Sequence, residues 1–197
     1  MEQPAGNKIT GNPSSHPALS VKWVEDFPDI PLNRNEAYKL RVTSKGVEIE
    51  AITETGVYRA IQTLRQLTEK KGNGIAITGC EITDWPAFRI RGFMQDVGRT
   101  YISTDELKRE IAILARYKIN VFHWHLTENQ AWRLQSKVFP MLNDSVNTTR
   151  QPGKYYTLEE ARELAAFCKQ HHVLLIPEID MPGHSAAFVR TFRHDMQ

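Results

Sequence analysis

The stretch RIRGFMQDVGRTYISTDELKREIAILARYKINVFHWHLTENQAWRLQ, residues 89–135, decides how this chain is built. An apolar run at 90–94, a capping box at 103–106 and an apolar run at 119–126 predict a strand, a helix and a second strand. Polar side chains lie in or after each strand: Asp96 and Arg99 with the first, and His123, His125, Glu128 and Gln130 with the second. Parallel strands joined by a helix end at one edge of a sheet. These groups are therefore predicted to form a polar-ligand site of the kind found in α/β barrels.

The composition is that of a globular protein, with 41% apolar and 24% charged residues in a chain of 197. There are 25 basic and 23 acidic residues, which are dispersed, and a net charge of +2. This balance gives no reason to expect a nucleic-acid or anionic-membrane partner. No apolar run is long enough for a membrane span, and the first 20 residues lack the basic-then-apolar pattern of a signal peptide. We expect a cytosolic protein, or one whose export signal is not included.

Two segments precede the α/β part of the chain. Residues 1–18 are rich in Gly, Pro, Ser and Asn, which predicts a flexible lead-in. Residues 19–85 predict a small α+β domain. Within it, apolar and polar residues alternate at 38–42 and at 47–51, which predicts a hairpin with one solvent-exposed face. Apolar residues at helical spacing predict a helix over 53–67.

Residues 86–197 then alternate strands with long helices. A second capping box at 157–160 opens another helix, and the apolar run 173–176 predicts a third strand that is covered on both faces. A (β/α)8 barrel needs eight such units and roughly 250 residues. The expected fold class is therefore α/β: an incomplete (β/α)8 TIM barrel with its first three β/α units, preceded by the small α+β domain. We expect the chain to be a fragment.

Two pairs of residues are candidates for chemistry. His123 and His125 lie two apart on a strand and so point to the same face. Such a pair can bind a metal, as in metal-dependent barrel hydrolases, or can be hydrogen-bonded interior residues that shape a pocket. Asp180 and His184 follow the third strand. They form either a structural turn or a dyad in which the acid fixes the imidazole tautomer and leaves the other nitrogen free.

Arg99 and two other groups also allow two interpretations. Asp96 and Arg99 are either a surface ion pair or a ligand-binding arginine with its partner. Trp132 is either a core side chain or the floor of a sugar site, since aromatic rings suit the apolar faces of pyranoses. The Asp105-Glu106 pair lies in the first turn of a helix, where carboxylates favour the helix dipole, and we interpret it as structural.

Four motifs together resemble glycoside hydrolase family 20, the β-N-acetylhexosaminidases, and the similarity extends from about residue 37 to 185. The stretch 56–67 is similar to the helix of the family's small N-terminal domain. The three strand motifs of its barrel are resembled, in order, by Arg91-Gly92 with Asp96-Val-Gly-Arg99, by Asn120-Val-Phe-His-Trp-His-Leu-Thr127 and by Pro177-Glu-Ile-Asp-Met-Pro-Gly-His184.

The resemblance implies an exo-acting enzyme that hydrolyses terminal N-acetyl-D-hexosamine residues from glycans. Its mechanism would be substrate-assisted and retaining, without a metal or organic cofactor. Arg99 would bind sugar hydroxyls, Glu128 and His125 would line the same pocket, and Asp180 and His184 would form a dyad that supports the general acid. The general acid and the Asp that orients the acetamido group belong to the loop after the fourth barrel strand. We therefore expect this fragment to be inactive.

The pair Glu128-Asn129 departs from the family pattern, which usually has two aspartates there. The first carboxylate is longer by a methylene, and the second is replaced by a neutral amide.

The full-length relative is expected to be exported, whether periplasmic, secreted or lysosomal, and the sequence leaves the oligomeric state open. Two other classes remain open: a metal-dependent barrel hydrolase that uses His123 and His125, and a non-catalytic carbohydrate-binding protein that uses Arg99 and the tryptophans.

Overall fold

A computed structural model describes residues 8–9 and 18–193 of the chain. The predicted α/β class is confirmed, and the chain divides into two compact units, residues 1–89 and 90–197. The predicted lead-in, 1–18, lies mostly outside the described residues. Its described part includes Lys8–Ile9, which form a short strand.

In its described residues, the first unit contains two sheets and one α-helix. Its elements are β1 (Lys8–Ile9), β2 (Ala18–Trp23), β3 (Tyr38–Thr43), β4 (Gly46–Ala51), α1 (Glu54–Gln66), β5 (Thr68–Lys71), β6 (Gly74–Thr78) and β7 (Cys80–Asp84). One sheet has the order β2-β4-β3-β7 and the other β1-β6-β5. The predicted hairpin is the antiparallel pair β3 and β4, whereas β2 runs parallel to β4.

Alternation of side chains along the hairpin builds the core of this unit. Tyr38, Leu40 and Ile49 are buried together with Ala60 of α1, while the residues between them point away from the core. Helix α1 begins where the Thr53 hydroxyl accepts a hydrogen bond from the backbone of the first turn, as an N-cap does.

The second unit carries one parallel sheet. Its elements are β8 (Gly92–Asp96), α2 (Thr104–Arg116), β9 (Val121–His125), α3 (Leu158–Gln170), β10 (Leu174–Glu178) and α4 (Ala186–Phe192). It also contains 3-10 turns at Pro140–Asn143 and Ser145–Asn147, and the first unit contains one at Arg34–Glu36. The sheet order is β10-β9-β8, so β9 is central. Strand β8 begins two residues later than its apolar run, and just before it the Arg91 N–H donates to the side chain of Asn120, at 2.8 Å.

Both predicted capping boxes are confirmed. The Ser103 hydroxyl accepts from the Glu106 N–H, and the Glu106 carboxylate accepts from the Ser103 N–H; Thr157 and Glu160 repeat the exchange. The hydrogen bonds from Ser103 lower the pKa of Glu106. These two boxes fix where α2 and α3 begin, and hence the length of each connection between strands.

The guanidinium of Arg133 joins the loops that flank the sheet. Its side chain is 0% exposed, and its described partners are all backbone carbonyls. Nε donates to Val97 at 3.0 Å, Nη1 to Gln151 at 3.2 Å and Lys154 at 2.6 Å, and Nη2 to Arg150 at 2.9 Å and Gly98 at 3.4 Å. Burial lowers the pKa of Arg133, but an arginine remains charged in proteins. This clamp fixes the loop after β8 against the loop before α3.

Within the described residues, none of the helices is both long and apolar enough to cross a membrane.

Arg133→Met is expected to lower the free energy of unfolding by about 2–4 kcal/mol, because the substitution leaves several buried carbonyls without a donor. Urea unfolding followed by tryptophan fluorescence measures the change. Arg162→Met, on the exposed face of α3, is the matched control and should stay within about 0.5 kcal/mol of the parent. Equal losses in the two variants would contradict the role assigned to the clamp.

Candidate active site

The register of the parallel sheet brings three polar side chains into one row. Asp96 of β8 and Glu178 of β10 both lie opposite His125 of β9. The strands run in the same direction, so this row and the loops that follow it share the carboxyl edge of the sheet. This is the edge at which ligands bind in parallel α/β folds.

Arg99 is held between carboxylates from two different segments. Its Nη1 donates to Asp96 Oδ2 and its Nη2 donates to Glu128 Oε1, each at 2.5 Å. The Arg99 N–H also binds Asp96 Oδ1, at 3.0 Å. The hydrogen bond with Asp96, followed by the charges of both carboxylates, raises the pKa of Arg99. The side chain is still 48% exposed, so an oriented, permanently charged guanidinium faces solvent with further N–H donors.

Glu128 is the buried member of this group, at 1% exposed. Its Oε1 accepts from Arg99 and contacts His184 Nδ1, while its Oε2 accepts from the Asn129 N–H. Gly98 passes directly beside it: a Cβ placed on Gly98 would lie 2.7 Å from Glu128 Cβ. The loop after β8 therefore approaches Glu128 this closely because residue 98 has no side chain.

Asn129, the second departure from the two-aspartate pattern, makes structural contacts. Its Oδ1 accepts from the Ala186 N–H at 3.2 Å, at the start of α4. Its carbonyl accepts from Arg190 Nη2 at 2.8 Å, and the same Nη2 donates to the Asn147 carbonyl at 2.9 Å. The position needs an acceptor oxygen, which an amide supplies as a carboxylate would.

Asp180 and His184 lie near each other without a hydrogen bond. His184 Nε2 is 4.0 Å from Asp180 Oδ2, a distance for an ion pair but too long for a hydrogen bond. The Asp180 N–H donates to Thr127 Oγ1 at 2.9 Å. His184 has a φ of +52° and directs Nδ1 to Glu128 instead. The supporting dyad stays a prediction, because Asp180 and His184 lie near each other but are not hydrogen-bonded.

His123 and His125 both contact the carboxylate of Glu178. His123 Nε2 lies 2.6 Å and His125 Nδ1 lies 2.9 Å from Glu178 Oε2. The two imidazoles do share a face, as their spacing predicts. Among the described residues, no three His, Cys, Asp or Glu side chains come together as metal ligands. Both interpretations of the pair, metal binding and the shaping of a pocket, stay predictions.

Glu178 is a site residue that sequence reasoning missed. The signal was available, because Glu178 ends the third strand as Asp96 ends the first, and parallel register places both beside His125.

Trp132 has its ring 6.1 Å from that of Phe188 on α4. Both interpretations of Trp132, as a core side chain or as the floor of a sugar site, stay predictions.

Replacement of Glu178 by Gln should make the free energy of unfolding fall less steeply as the pH is lowered. Burial raises the pKa of Glu178, but the hydrogen bond with His125 and the charges of both imidazoles lower it below its ordinary 4.5 overall. A depressed pKa means that ionised Glu178 stabilises the fold above that value and loses this effect as the pH falls. Urea unfolding from pH 7 to pH 3 should show a shallower decline in Glu178→Gln than in the parent. Glu159→Gln, exposed on α3, controls for loss of one carboxylate; identical slopes in all three proteins would disprove the linkage.

Comparison with known proteins places this chain in a family. The profile of the glycosyl hydrolase family 20 catalytic domain matches residues 88–196, and that of the family's domain 2 matches residues 4–85. A beta-hexosaminidase of Porphyromonas gingivalis is 39% identical over 204 residues, covering 97% of this chain and 24% of its own length. One of Vibrio furnissii is 38% identical over 168 residues, covering 78% and 28%.

Solved structures agree with the sequence relatives. The exo beta-N-acetylglucosaminidase of Vibrio harveyi, solved with N-acetylglucosamine, has a TM-score of 0.78 at 34% identity and covers 89% of this chain and 29% of its own. The beta-N-acetylhexosaminidase of Bacteroides fragilis has a TM-score of 0.79 at 32% identity, covering 92% and 36%. The chain thus spans roughly a quarter to a third of the length of these relatives. On these matches, this chain belongs to glycosyl hydrolase family 20.

Proposed function

We propose that this chain is the substrate-holding part of an exo-acting β-N-acetylhexosaminidase, an enzyme that removes terminal N-acetyl-D-hexosamine from glycans without a metal or organic cofactor. The observation that carries the proposal is the position of Arg99 between Asp96 and Glu128. Two carboxylates orient one guanidinium at the carboxyl edge of a parallel sheet. That edge is where the catalytic groups of barrel enzymes lie.

Arg99 offers the sugar a fork of charged donors. The guanidinium has five N–H groups in a plane, and the two contacts with Asp96 and Glu128 leave others for a ligand. Neighbouring hydroxyls on a pyranose can accept from such a fork, and carboxylate oxygens beside it can accept the hydroxyl protons. A fork that binds hydroxyls at the far edge of a sugar suits a terminal residue, which is the basis for proposing exo action.

The parallel sheet is proposed to be the first part of a (β/α)8 TIM barrel. On one face of β9, Phe122 and Trp124 are buried. The opposite face carries His123 with the exposed apolar side chains of Met94 and Ile176 at the same register. An apolar face that ends in a polar row is what the lining and mouth of a barrel require.

In the family's substrate-assisted mechanism, the acetamido oxygen of the substrate attacks the anomeric carbon while an acid protonates the leaving oxygen. We assign no residue of this chain to the general acid or to the Asp that orients the acetamido group. Arg99, Glu128 and His125 would hold the sugar, and Asp180 with His184 would support the acid. The 197 residues alone are therefore proposed to be inactive.

Binding of N-acetylglucosamine should depend on Arg99. We expect the chain to show saturable chemical-shift changes with this sugar and Arg99→Met to weaken binding by about 10- to 100-fold, the loss of one or two charge-assisted hydrogen bonds. Arg162→Met is the control and should bind as the parent does. Unchanged affinity in Arg99→Met would refute the assigned contact.

The purified 197-residue chain should release no measurable phenol from an aryl N-acetyl-β-glucosaminide. Protonation of the leaving group by a positioned acid contributes about 10²- to 10⁴-fold, and we assign no such acid here. A time course against a buffer blank, at high enzyme concentration, measures the rate. Turnover at enzyme-like rates would show that the chain carries its own acid.

A further inference from the structure

Strand β2 is an edge of the four-stranded sheet in the first unit. Among the described strands it pairs with β4 alone, and all six of its residues are exposed. Leu19, Val21 and Trp23 lie opposite buried apolar residues of β4, yet they are 55%, 38% and 58% exposed. A row of large apolar side chains that continues a core but remains in contact with water is typical of an interaction surface.

The backbone groups of the same three residues point away from the sheet. The Val24 N–H donates to the Ala51 carbonyl of β4 at 3.1 Å. Backbone groups point to the two sides of a strand in alternation. The even-numbered residues of β2 therefore face β4, and the N–H and C=O groups of Leu19, Val21 and Trp23 face outward. Donors and acceptors of this kind at an edge are a template for another strand.

Three other edge strands carry residues that oppose such pairing, either two charged side chains or a proline, which has no N–H. These residues are Glu81 and Asp84 in β7, Lys70 and Lys71 in β5, and Pro177 in β10. The edge at β8 would be closed in the proposed barrel. Strand β2 has one charged residue, Lys22, and its Nζ is paired with Glu50 at 2.6 Å.

The sequence of β2 is complementary to itself about Val21. In an antiparallel pair with a two-fold axis at this residue, Val21 lies opposite its own copy and Leu19 lies opposite Trp23 of the second copy. These are the residues whose backbone groups face outward, so three opposed pairs would exchange about six hydrogen bonds. Aromatic and aliphatic side chains opposite one another stabilise a sheet. Lys22 would lie opposite Ser20, so no like charges would meet.

We propose that β2 is a dimerisation edge, at which a second copy of this chain adds its own β2 in antiparallel orientation. The two four-stranded sheets would join into one continuous sheet, and the two apolar rows would cover each other in part. The proposal concerns the first unit and does not rest on the proposed function.

Sedimentation equilibrium over a range of concentrations tests the proposal. We expect the parent to show a monomer–dimer equilibrium. Val21→Lys should weaken dimerisation at least about tenfold, because two ammonium groups would lie opposite each other at the axis, and Val21→Glu should do the same. An equimolar mixture of the two variants should recover the dimer, since opposite charges would then meet. Ile75→Lys, at a 73% exposed position in the other sheet, is the matched control and should dimerise as the parent does.

Hydrogen exchange in the parent gives a second measurement that needs no variant. As the concentration rises, the amides of Leu19, Val21 and Trp23 should gain more protection than those of Ser20 and Lys22, which already face β4.

The proposal would be overturned by a parent that stays monomeric, by equal losses in Val21→Lys and Ile75→Lys, or by a mixture of folded variants that does not dimerise. If the charged variants do not fold, exchange in the parent decides: an amide of Val21 whose protection does not depend on concentration would also overturn the proposal. No sugar or turnover enters these measurements, so their outcome is separate from the tests of the proposed function.

Discussion

Parallel pairing in register is the constraint on which the candidate site depends. Because β8 and β10 both pair with β9 in the same direction, residues that are distant in sequence arrive at one edge of the sheet. Asp96, His125 and Glu178 occupy one row for this reason. A shift of one residue in either pairing would turn every side chain of that strand to the other face. The chemistry of the edge is thus set by hydrogen bonds of the backbone before any side chain contributes.

The loops beyond that row are fixed by contacts that do not take part in ligand binding. Arg133 binds the carbonyls of Val97 and Gly98, the two residues that precede Arg99. Gly98 in turn allows the same loop to pass against Glu128. In the proposed function, the guanidinium of Arg99 would have to meet a sugar within tenths of an ångström and would need such support, since a misplacement of about 1 Å can cost about 100-fold in rate.

Much of the frame is predictable from sequence because its signals are local. Two capping boxes and an unbroken apolar run identify α2, α3 and β10. The family resemblance implies that Arg99 and Glu128 are pocket residues, which stays a prediction. Strand β2 was overlooked although its residues alternate, because they lie beside a segment read as a lead-in. The surroundings of His184 were not predictable: motif spacing suggests Asp180, whereas the imidazole also contacts Glu128 and Arg99, which come from other loops.

The hydrogen bonds of the Arg133 clamp differ from those of the candidate site in their dependence on pH. Its acceptors are carbonyls, which do not titrate, and its donor stays protonated throughout the range in which proteins are handled. The contacts at the edge of the sheet include the carboxylate of Glu178; burial raises its pKa, but His125 and His123 lower it below its ordinary value overall. The bonds of the Arg133 clamp therefore do not respond to the acidification that neutralises Glu178, so the loop after β8 is positioned independently of the charge at the edge of the sheet.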